Sequence, residues 1–436
     1  MPRLHPPTTV LEIAQRLESA GFEAWCVGGA VRDALLGETH LDWDLATSAT
    51  PDEVRRLFGP RRTIPVGVDF GTVGVLDRAG VMHEVTTFRR DVKTDGRHAV
   101  VEFGVSLDDD LARRDFTINA IAYSPSSGEL RDPFGGRCDI EAKIVRAVGD
   151  PDARMSEDRL RALRGIRFAA RFGFAIEPAT RRAIDASAPY LDRLSSERVK
   201  QELDKTFDQV CRPSSALIIW QRSGAFASLI PALGDLPSQA LSVPDFTAQP
   251  GLQRRPARRA IRYAALLASL GGSGAESVLV RLRSSKHEIR AVTELVAAWQ
   301  TNGAAIAAAI SGSDEPSDAS VRRWVAAVSR LAVGSFMRLA SAVWSAERAA
   351  KRPAPAPGAV RRLHRRMLAI SLRDPIDLGS LAVDGDDLRR AGIPAGPGLG
   401  KILQSLLAAV IEDPSRNTPE WLLREAARLH VDATPR

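Results

Sequence analysis

The sequence predicts a mixed α/β head followed by an all-helical remainder, and three observations carry that prediction. Over residues 1–150, short apolar runs alternate with Gly, Pro and Asp turn residues. Beyond residue 150, apolar positions recur with helical period in segments rich in Ala, Leu and Arg, and β-branched runs vanish. The charge changes sign at the same place. Residues 1–150 carry 18 Lys+Arg and 24 Asp+Glu, a net of −6, and residues 151–436 carry the remaining 42 and 29, a net of +13. A chain of 436 residues is long enough for several domains with their own cores. The expected division is a head at 1–150, a helical neck at 151–215, a helical body at 216–300 and a helical tail at 301–436.

Each element has its own reason. Apolar Leu11, Ala14 and Leu17 predict a helix over 11–20. Residues 24–27 read as a short strand running into Gly28-Gly29, 30–36 as a helix stopped by Gly37, and 42–46 as a second strand. Ser48 or Thr50, just ahead of Pro51, offers the cap of the next helix. Residues 71–76 and 81–88 read as a strand pair joined through Asp77-Arg78-Ala79-Gly80. Asp108-Asp109-Asp110 reads as a capped helix start rather than a metal site. In the helical part, breaks are expected at 246–256, 271–274, 303–320 and 353–358, the last being a Pro/Ala linker.

Composition excludes several classes. No run approaches the roughly eighteen apolar residues of a membrane span, and the opening MPRLHPPTTV has no apolar signal core. Neither a membrane partner nor secretion is expected. Cys26, Cys138 and Cys211 are too few and too widely spaced for a disulfide framework or a zinc knuckle, and they suit a reducing cytoplasm. Of the 60 basic residues 7 are Lys and 53 Arg, for a net charge of +7. An acidic front half and a basic back half suggest a carboxylate-and-metal site joined to a polyanion-binding surface, the alternative being a solvated basic helical face.

Two local patterns carry chemistry. Val27-Gly28-Gly29-Ala30-Val31-Arg32-Asp33 ends a strand with two glycines and opens a helix. Glycines admit a close backbone approach, and a helix N-terminus offers free N–H groups to an anion. Arg32, one turn in, is placed to reach a phosphate. About ten residues later comes Asp42-Trp43-Asp44. Residues two apart on a strand share a side. Two carboxylates so placed repel each other unless cations lie between them, and a pair of divalent metals that clamps a phosphoryl transfer does this.

Together these residues resemble the first motif of the class II nucleotidyltransferases, the family of the bacterial and eukaryotic CCA-adding enzymes and the bacterial poly(A) polymerases. The resemblance continues in order through Arg113-Arg114-Asp115-Phe116-Thr117-Ile118-Asn119-Ala120, Asp132-Pro133-Phe134-Gly135-Gly136, Glu157-Asp158-Arg159-Leu160-Arg161 with Arg164 and Arg167, and Glu197-Arg198 with Glu202. It covers about residues 20–215 and implies a polymerase-β-like head. Asp42 and Asp44 are then the catalytic residues and the ligands of two Mg²⁺ ions. Glu84 is a candidate third carboxylate, or a salt-bridged strand residue. Gly29, Arg32, Arg114, Asp158, Arg161, Arg164 and Arg167 are the implied nucleotide-binding residues, while Asp115 and Asn119 meet the ribose or hold their loop.

A single helix over 157–172 would place Asp158, Arg161 and Arg164 in one i, i+3 row. A carboxylate accepts from an exocyclic amine and a guanidinium donates to a ring nitrogen or carbonyl. Cytosine and adenine offer both groups, whereas uracil and guanine leave the carboxylate unpaired, at a cost of about 1–3 kcal/mol. Arg167 falls about 180° from Asp158 on the wheel, which makes it structural, while the resemblance makes it a nucleotide contact.

The resemblance implies CCA addition to the 3′ end of tRNA from CTP and ATP, with pyrophosphate released, in the cytoplasm, with no DNA partner. An A-adding enzyme or poly(A) polymerase, a catalytically silent RNA-binding protein, and a transferase acting on a small molecule are the alternatives. Residues 89–98 resemble the flexible loop of enzymes that add the terminal A, with Ala99 where the family usually has Pro. Residues 63–73 resemble the CCA-adding version of their region, although Asp69 and Phe70 stand where relatives often have a basic residue and His. Ala268-Ser269 replaces a His-Asp pair of many relatives, so no metal phosphohydrolase site is expected. Arg361-Arg362-Leu363-His364-Arg365-Arg366, with Lys286 and Arg290, either contacts RNA phosphates or forms a solvated face.

Overall fold

The computed structural model describes residues 4–38, 42–94, 99–247 and 257–432. The chain divides into two units, Met1–Val210 with Ser215–Asp235, and Cys211–Ser214 with Leu236–Arg436.

In the first unit, α1 (Thr8–Ser19) buries Val10, Ile13, Ala14 and Leu17, one stripe at helical spacing. β1 (Ala24–Val27) leads through Gly28 into α2 (Gly29–Leu35). Gly28 has φ +72°, and a Cβ there would lie 2.7 Å from Arg114 Nη1, so both backbone and space require glycine. β2 (Asp44–Thr47) starts two residues later than expected. Asp42 lies outside it, so strand alternation does not place the two carboxylates together. Thr50 caps α3 (Pro51–Phe58) and Glu53 closes the capping box, while Ser48 accepts the Glu23 N–H instead.

β3 (Thr63–Gly67), β4 (Thr72–Leu76) and β5 (Met82–Thr87) follow. β6 (Arg89–Thr94) and β7 (Ala99–Phe103) form a separate antiparallel ribbon, so the stretch expected as a loop is strand on both sides. Its tip, 95–98, lies outside the described residues. Ser106 caps α4 (Leu107–Ala112), which begins with the Asp108–Asp110 run. After β8 (Ala122–Tyr123) and β9 (Leu130–Arg131) comes α5 (Gly136–Ala142).

The main sheet runs β3-β4-β5-β2-β1-β8-β9. β2 and β5 are parallel and the other neighbours antiparallel, so the sheet is mixed. Val27, Ala46, Phe88, Leu107, Leu111, Ala120, Ala122 and Val148 cluster in the core that fixes β1 and β2 against α4.

β10 (Ile144–Val145) pairs in parallel with β11 (Ala175–Ile176), and between them lie α6 (Pro151–Glu157) and α7 (Leu160–Phe172). The single helix expected over 157–172 is therefore two. Asp158 is extended, at φ −145° and ψ 103°, and its Oδ1 accepts the Leu160 N–H at 3.0 Å. A short carboxylate competing for backbone N–H groups ends one helix and starts the next. α8 (Pro178–Ser187) and α9 (Ser196–Gln209) complete this helical part.

The described part of the second unit is helical. The helix Lys286–Ser311 passes through Gly303, where a break was expected, and a Cβ there would stand 2.7 Å from the Trp299 ring. Gly271, at φ +71°, opens the helix Gly271–Arg281. Of the break expected at 246–256, residues 248–256 lie outside the described residues. Val383, Leu388, Ile393, Ile402, Leu406, Val410, Leu422 and Ala426 form a core near the C-terminus. The stretch Arg258–Arg281 is long and apolar enough by composition to cross a membrane, yet half of its window is buried.

Candidate active site

A cleft of about 410 Å³ opens in the first unit where the β1–α2 turn meets the 113–119 segment and α7. Gly28, Gly29, Arg32, Arg113, Arg114, Asp115, Asn119, Asp158, Arg161, Arg164 and Phe168 line it. Five guanidinium groups against two carboxylates make the wall net positive, which suits a polyphosphate.

The arginines are held, not loose. Arg32 is 4% exposed. It pairs with Asp33 at 2.6 Å, donates to Asn119 Oδ1, and lies 4.8 Å from the Phe172 ring and 5.1 Å from Phe168. Asp33 also takes Arg171 at 3.0 Å and so ties α2 to α7. Arg114 is held by Asp110 at 3.1 Å, and its buried Nε has no partner among the described residues. Arg164 meets Asp115 Oδ2 at 2.7 Å. Burial would raise the Asp115 carboxyl, but Arg164 and the Asn119 amide hold it below the ordinary range. Asp115 Oδ1 accepts from Asn119 and from the Phe116 N–H, so these two residues hold the loop. Gly165 lets α7 approach Phe116, since a Cβ there would lie 2.8 Å from the ring.

Asp158 and Arg161 share the cleft although one helix does not carry both. Asp158 Oδ2 accepts from Arg198 at 2.8 Å. Arg161 donates to Glu157 and to the carbonyls of Arg154 and Arg113, using three of the five N–H donors a guanidinium carries. The wheel-based row is thus replaced by a kink that turns the Asp158 carboxylate toward the same space.

Arg167 does not line the cleft. It is 3% exposed, pairs with Glu202 at 2.7 Å and donates to Gln209. This buried ion pair is the structural role its place on the helical wheel implied, and Arg164 lies 4.0 Å from the same Glu202.

Asp42 and Asp44 stand beside the cleft rather than in its wall. Asp44 opposes Val27, the residue before Gly28-Gly29. Burial, then the Glu84 and Asp42 carboxylates, push the Asp44 carboxyl up to about 7, with Arg114 pulling the other way. Three carboxylates gathered in this way are the donor chemistry a hard divalent cation takes. Among the described residues no group of three or more His, Cys, Asp or Glu is placed to hold a metal by itself. Substrate phosphate oxygens would complete such a shell.

Sequence reasoning gave Phe168 no place in the site, and it named Arg113 and Arg198 within their motifs without assigning either a contact. The Arg-Arg pair was visible, but that both guanidinium groups line the cleft follows only from the fold, which also brings the Arg113 carbonyl to Arg161, 48 residues away. In the second unit, Arg362 and Arg366 pair with Glu315 and Asp318, and Arg290 with Glu294.

Residues 24–146 match the family model "Poly A polymerase head domain", 173–236 match "Probable RNA and SrmB- binding site of polymerase A", and 257–426 match a second domain of tRNA nucleotidyltransferase. The chain is 36% identical over 437 residues to the CCA-adding enzyme of Geobacillus kaustophilus, covering 98% of this chain and 99% of that one. It is 39% identical over 307 residues to the CCA-adding enzyme of Streptococcus pneumoniae, 67% of this chain and 72% of that one. The CCA-adding enzyme of Bacillus stearothermophilus in complex with CTP superposes with a TM-score of 0.77 at 31% identity, covering 98% and 100% of the two chains. The Thermotoga maritima CCA-adding enzyme complexed with tRNA shares the fold, with a TM-score of 0.67 at 22% identity over 98% and 97%.

Proposed function

We propose, for a chain that belongs to the family of CCA-adding enzymes, that the cleft beside Asp44 selects CTP and ATP and that their nucleotidyl groups are transferred one at a time to the 3′ end of tRNA. The observation that carries this reading is the junction itself. A guanidinium-lined cleft holding Asp158 and Arg161 abuts a group of mutually repelling carboxylates.

The terminal 3′-oxygen of the RNA bonds to the α-phosphorus of the nucleoside triphosphate. The bond from that phosphorus to the bridging oxygen breaks, pyrophosphate leaves, and the hydroxyl proton is lost. Arg32 and Arg114 are assigned to the triphosphate, with Gly29 letting the backbone approach it. Asp158 accepts from the amine of cytosine or adenine, and Arg161 donates to the neighbouring acceptor. Arg164 holds Asp115 and, with it, the floor of the cleft. Two Mg²⁺ ions, held by Asp42 and Asp44 with Glu84 alongside, would ease loss of the hydroxyl proton and screen the triphosphate. The head, neck, body and tail are assigned as 1–150, 151–215, 216–300 and 301–436, with tRNA on the basic helical part. The reaction is assigned to the cytoplasm.

The reading is tested with tRNAs ending before C74, at C74 and at C75, given CTP and ATP separately and together. Growth of all three to a single CCA is expected. Extension of the CC-ended tRNA alone would mark an A-adding enzyme, and long A tails on unrelated RNA a poly(A) polymerase.

A further inference from the structure

A row of residues crosses the main sheet beside the carboxylates. Gly74 is the register partner of Glu84 on one side and of Ile64 on the other. The Leu45–Val85 pairing sets Asp44 level with Glu84. Neighbouring strands are about 4.7–4.9 Å apart, so the row Asp44, Glu84, Gly74, Ile64 spans only four strands. Alternation adds Met82 to the face of Glu84 and Val66 to the face of Ile64.

That face is open. Ile64 is 41% exposed, Val66 44% and Met82 40%, while His83 and Val85 on the opposite face are buried. A Cβ on Gly74 would lie 2.7 Å from Met82 Sδ and 3.0 Å from Val66 Cγ2. The two side chains therefore meet over the glycine and make one apolar floor. Large apolar side chains left exposed together need a reason.

The nucleotide cleft lies on the other side of Asp44. Its Gly28-Gly29 wall continues β1, which pairs with the edge of β2 opposite to β5. The carboxylates thus have the triphosphate on one flank and the apolar floor on the other. In nucleotidyl transfer, the attacking and leaving oxygens lie roughly in line through the phosphorus.

We propose that Val66, Met82 and Ile64 form the platform on which the terminal nucleotide of tRNA lies while its 3′-hydroxyl is delivered to the carboxylates. The proposal rests on the CCA-adding reading above. Its occupant follows from continuity with the carboxylate face and from chemistry. A nucleobase has a flat apolar face, and a thioether such as that of Met82 makes favourable contact with an aromatic ring. An aliphatic floor reads no base edge, because it has no donors or acceptors to match. CCA addition needs that property, since the terminal base is the tRNA's own before the first transfer and a cytosine before the second and third. These are positioning residues: they act on the bound RNA end and not on the triphosphate.

The test is the double variant Val66→Ser/Met82→Ser in the full chain, beside Val66→Ile/Met82→Leu. The positions are exposed, and a thermal melt checks that the fold is kept. For all three tRNA ends, kcat/KM for tRNA should fall at least about tenfold in the serine variant, through KM. The aliphatic variant should keep the wild-type value, and CTP should bind both with unchanged Kd in the absence of tRNA. Wild-type tRNA kinetics in the serine variant would overturn the platform. So would a loss confined to one tRNA end, or a parallel loss of CTP affinity. Wild-type protein that extends no tRNA would instead overturn the CCA-adding reading and the platform with it.

Discussion

Asp44 places a half-buried carboxylate among carboxylates, and the sign of its shift makes a prediction without substrate. Its folded-state value, about 7, lies above the ordinary carboxylate value of 3.8. The folded chain therefore holds that proton more tightly than the unfolded chain. The stability this group contributes is complete below the ordinary value and is lost as pH rises through the folded value. In metal-free protein, Asp44→Asn should raise the melting temperature at pH 8, and the gain should shrink toward pH 4. A gain independent of pH would contradict the assignment. In extension assays the same variant should lose at least about a thousandfold in kcat. Arg167 makes a different prediction. Removing one partner of a buried ion pair costs about 3–5 kcal/mol, so Arg167→Met should lower stability by that order in denaturant unfolding, with the preference for C and A over U and G intact. Undiminished stability with a raised KM for CTP and ATP would return Arg167 to the cleft. At this scale the sequence was informative where chemistry is local. Gly28-Gly29, Arg32 and Asp42-Trp43-Asp44 mark their own site. The pairing of Arg32 with Asn119, 87 positions away, was invisible because only the folded chain brings them together.

α7 shows how an element carries the site. Its amphipathic pattern was legible and its existence was expected, but its start was not. Local hydrogen bonding by Asp158 outweighed helical continuation, and the kink changes the direction of the carboxylate proposed to read the base. The strand pairing of β6–β7 was not legible for a related reason: it lies in cross-strand registry, which leaves no mark in helical or strand period over so short a stretch. Gly165 tests the placement of α7. A methyl there would meet Phe116 at 2.8 Å, and overpacking of this kind costs about 1–3 kcal/mol. Gly165→Ala should lower the melting temperature and raise KM for CTP and ATP together, because α7 carries both Arg161 and Arg164. Lower stability with both KM values unchanged would detach the helix position from nucleotide binding.

Across the whole chain, the change of net charge near residue 150 was the coarsest signal and one of the most useful. The acidic part holds the carboxylates of the proposed metal site, and the basic part begins at the segment proposed to select the nucleotide. Several surface arginines of the second unit already have acidic partners, so their count overstates the charge free for RNA. Phosphate contacts release counterions, and affinity for tRNA should fall by at least about tenfold between 50 and 200 mM salt, linearly on logarithmic axes. A salt-independent Kd would contradict a phosphate-tracking surface. The central claim is that a protein cleft, with no nucleic-acid template, chooses the nucleotide. Its most direct measurement gives wild-type protein and Asp158→Ala the same CC-ended and C-ended tRNAs with equal CTP, ATP, GTP and UTP, and sequences the products. Wild-type protein should yield CCA ends, and the variant should incorporate U and G in addition. Identical end sequences from both would contradict the claim.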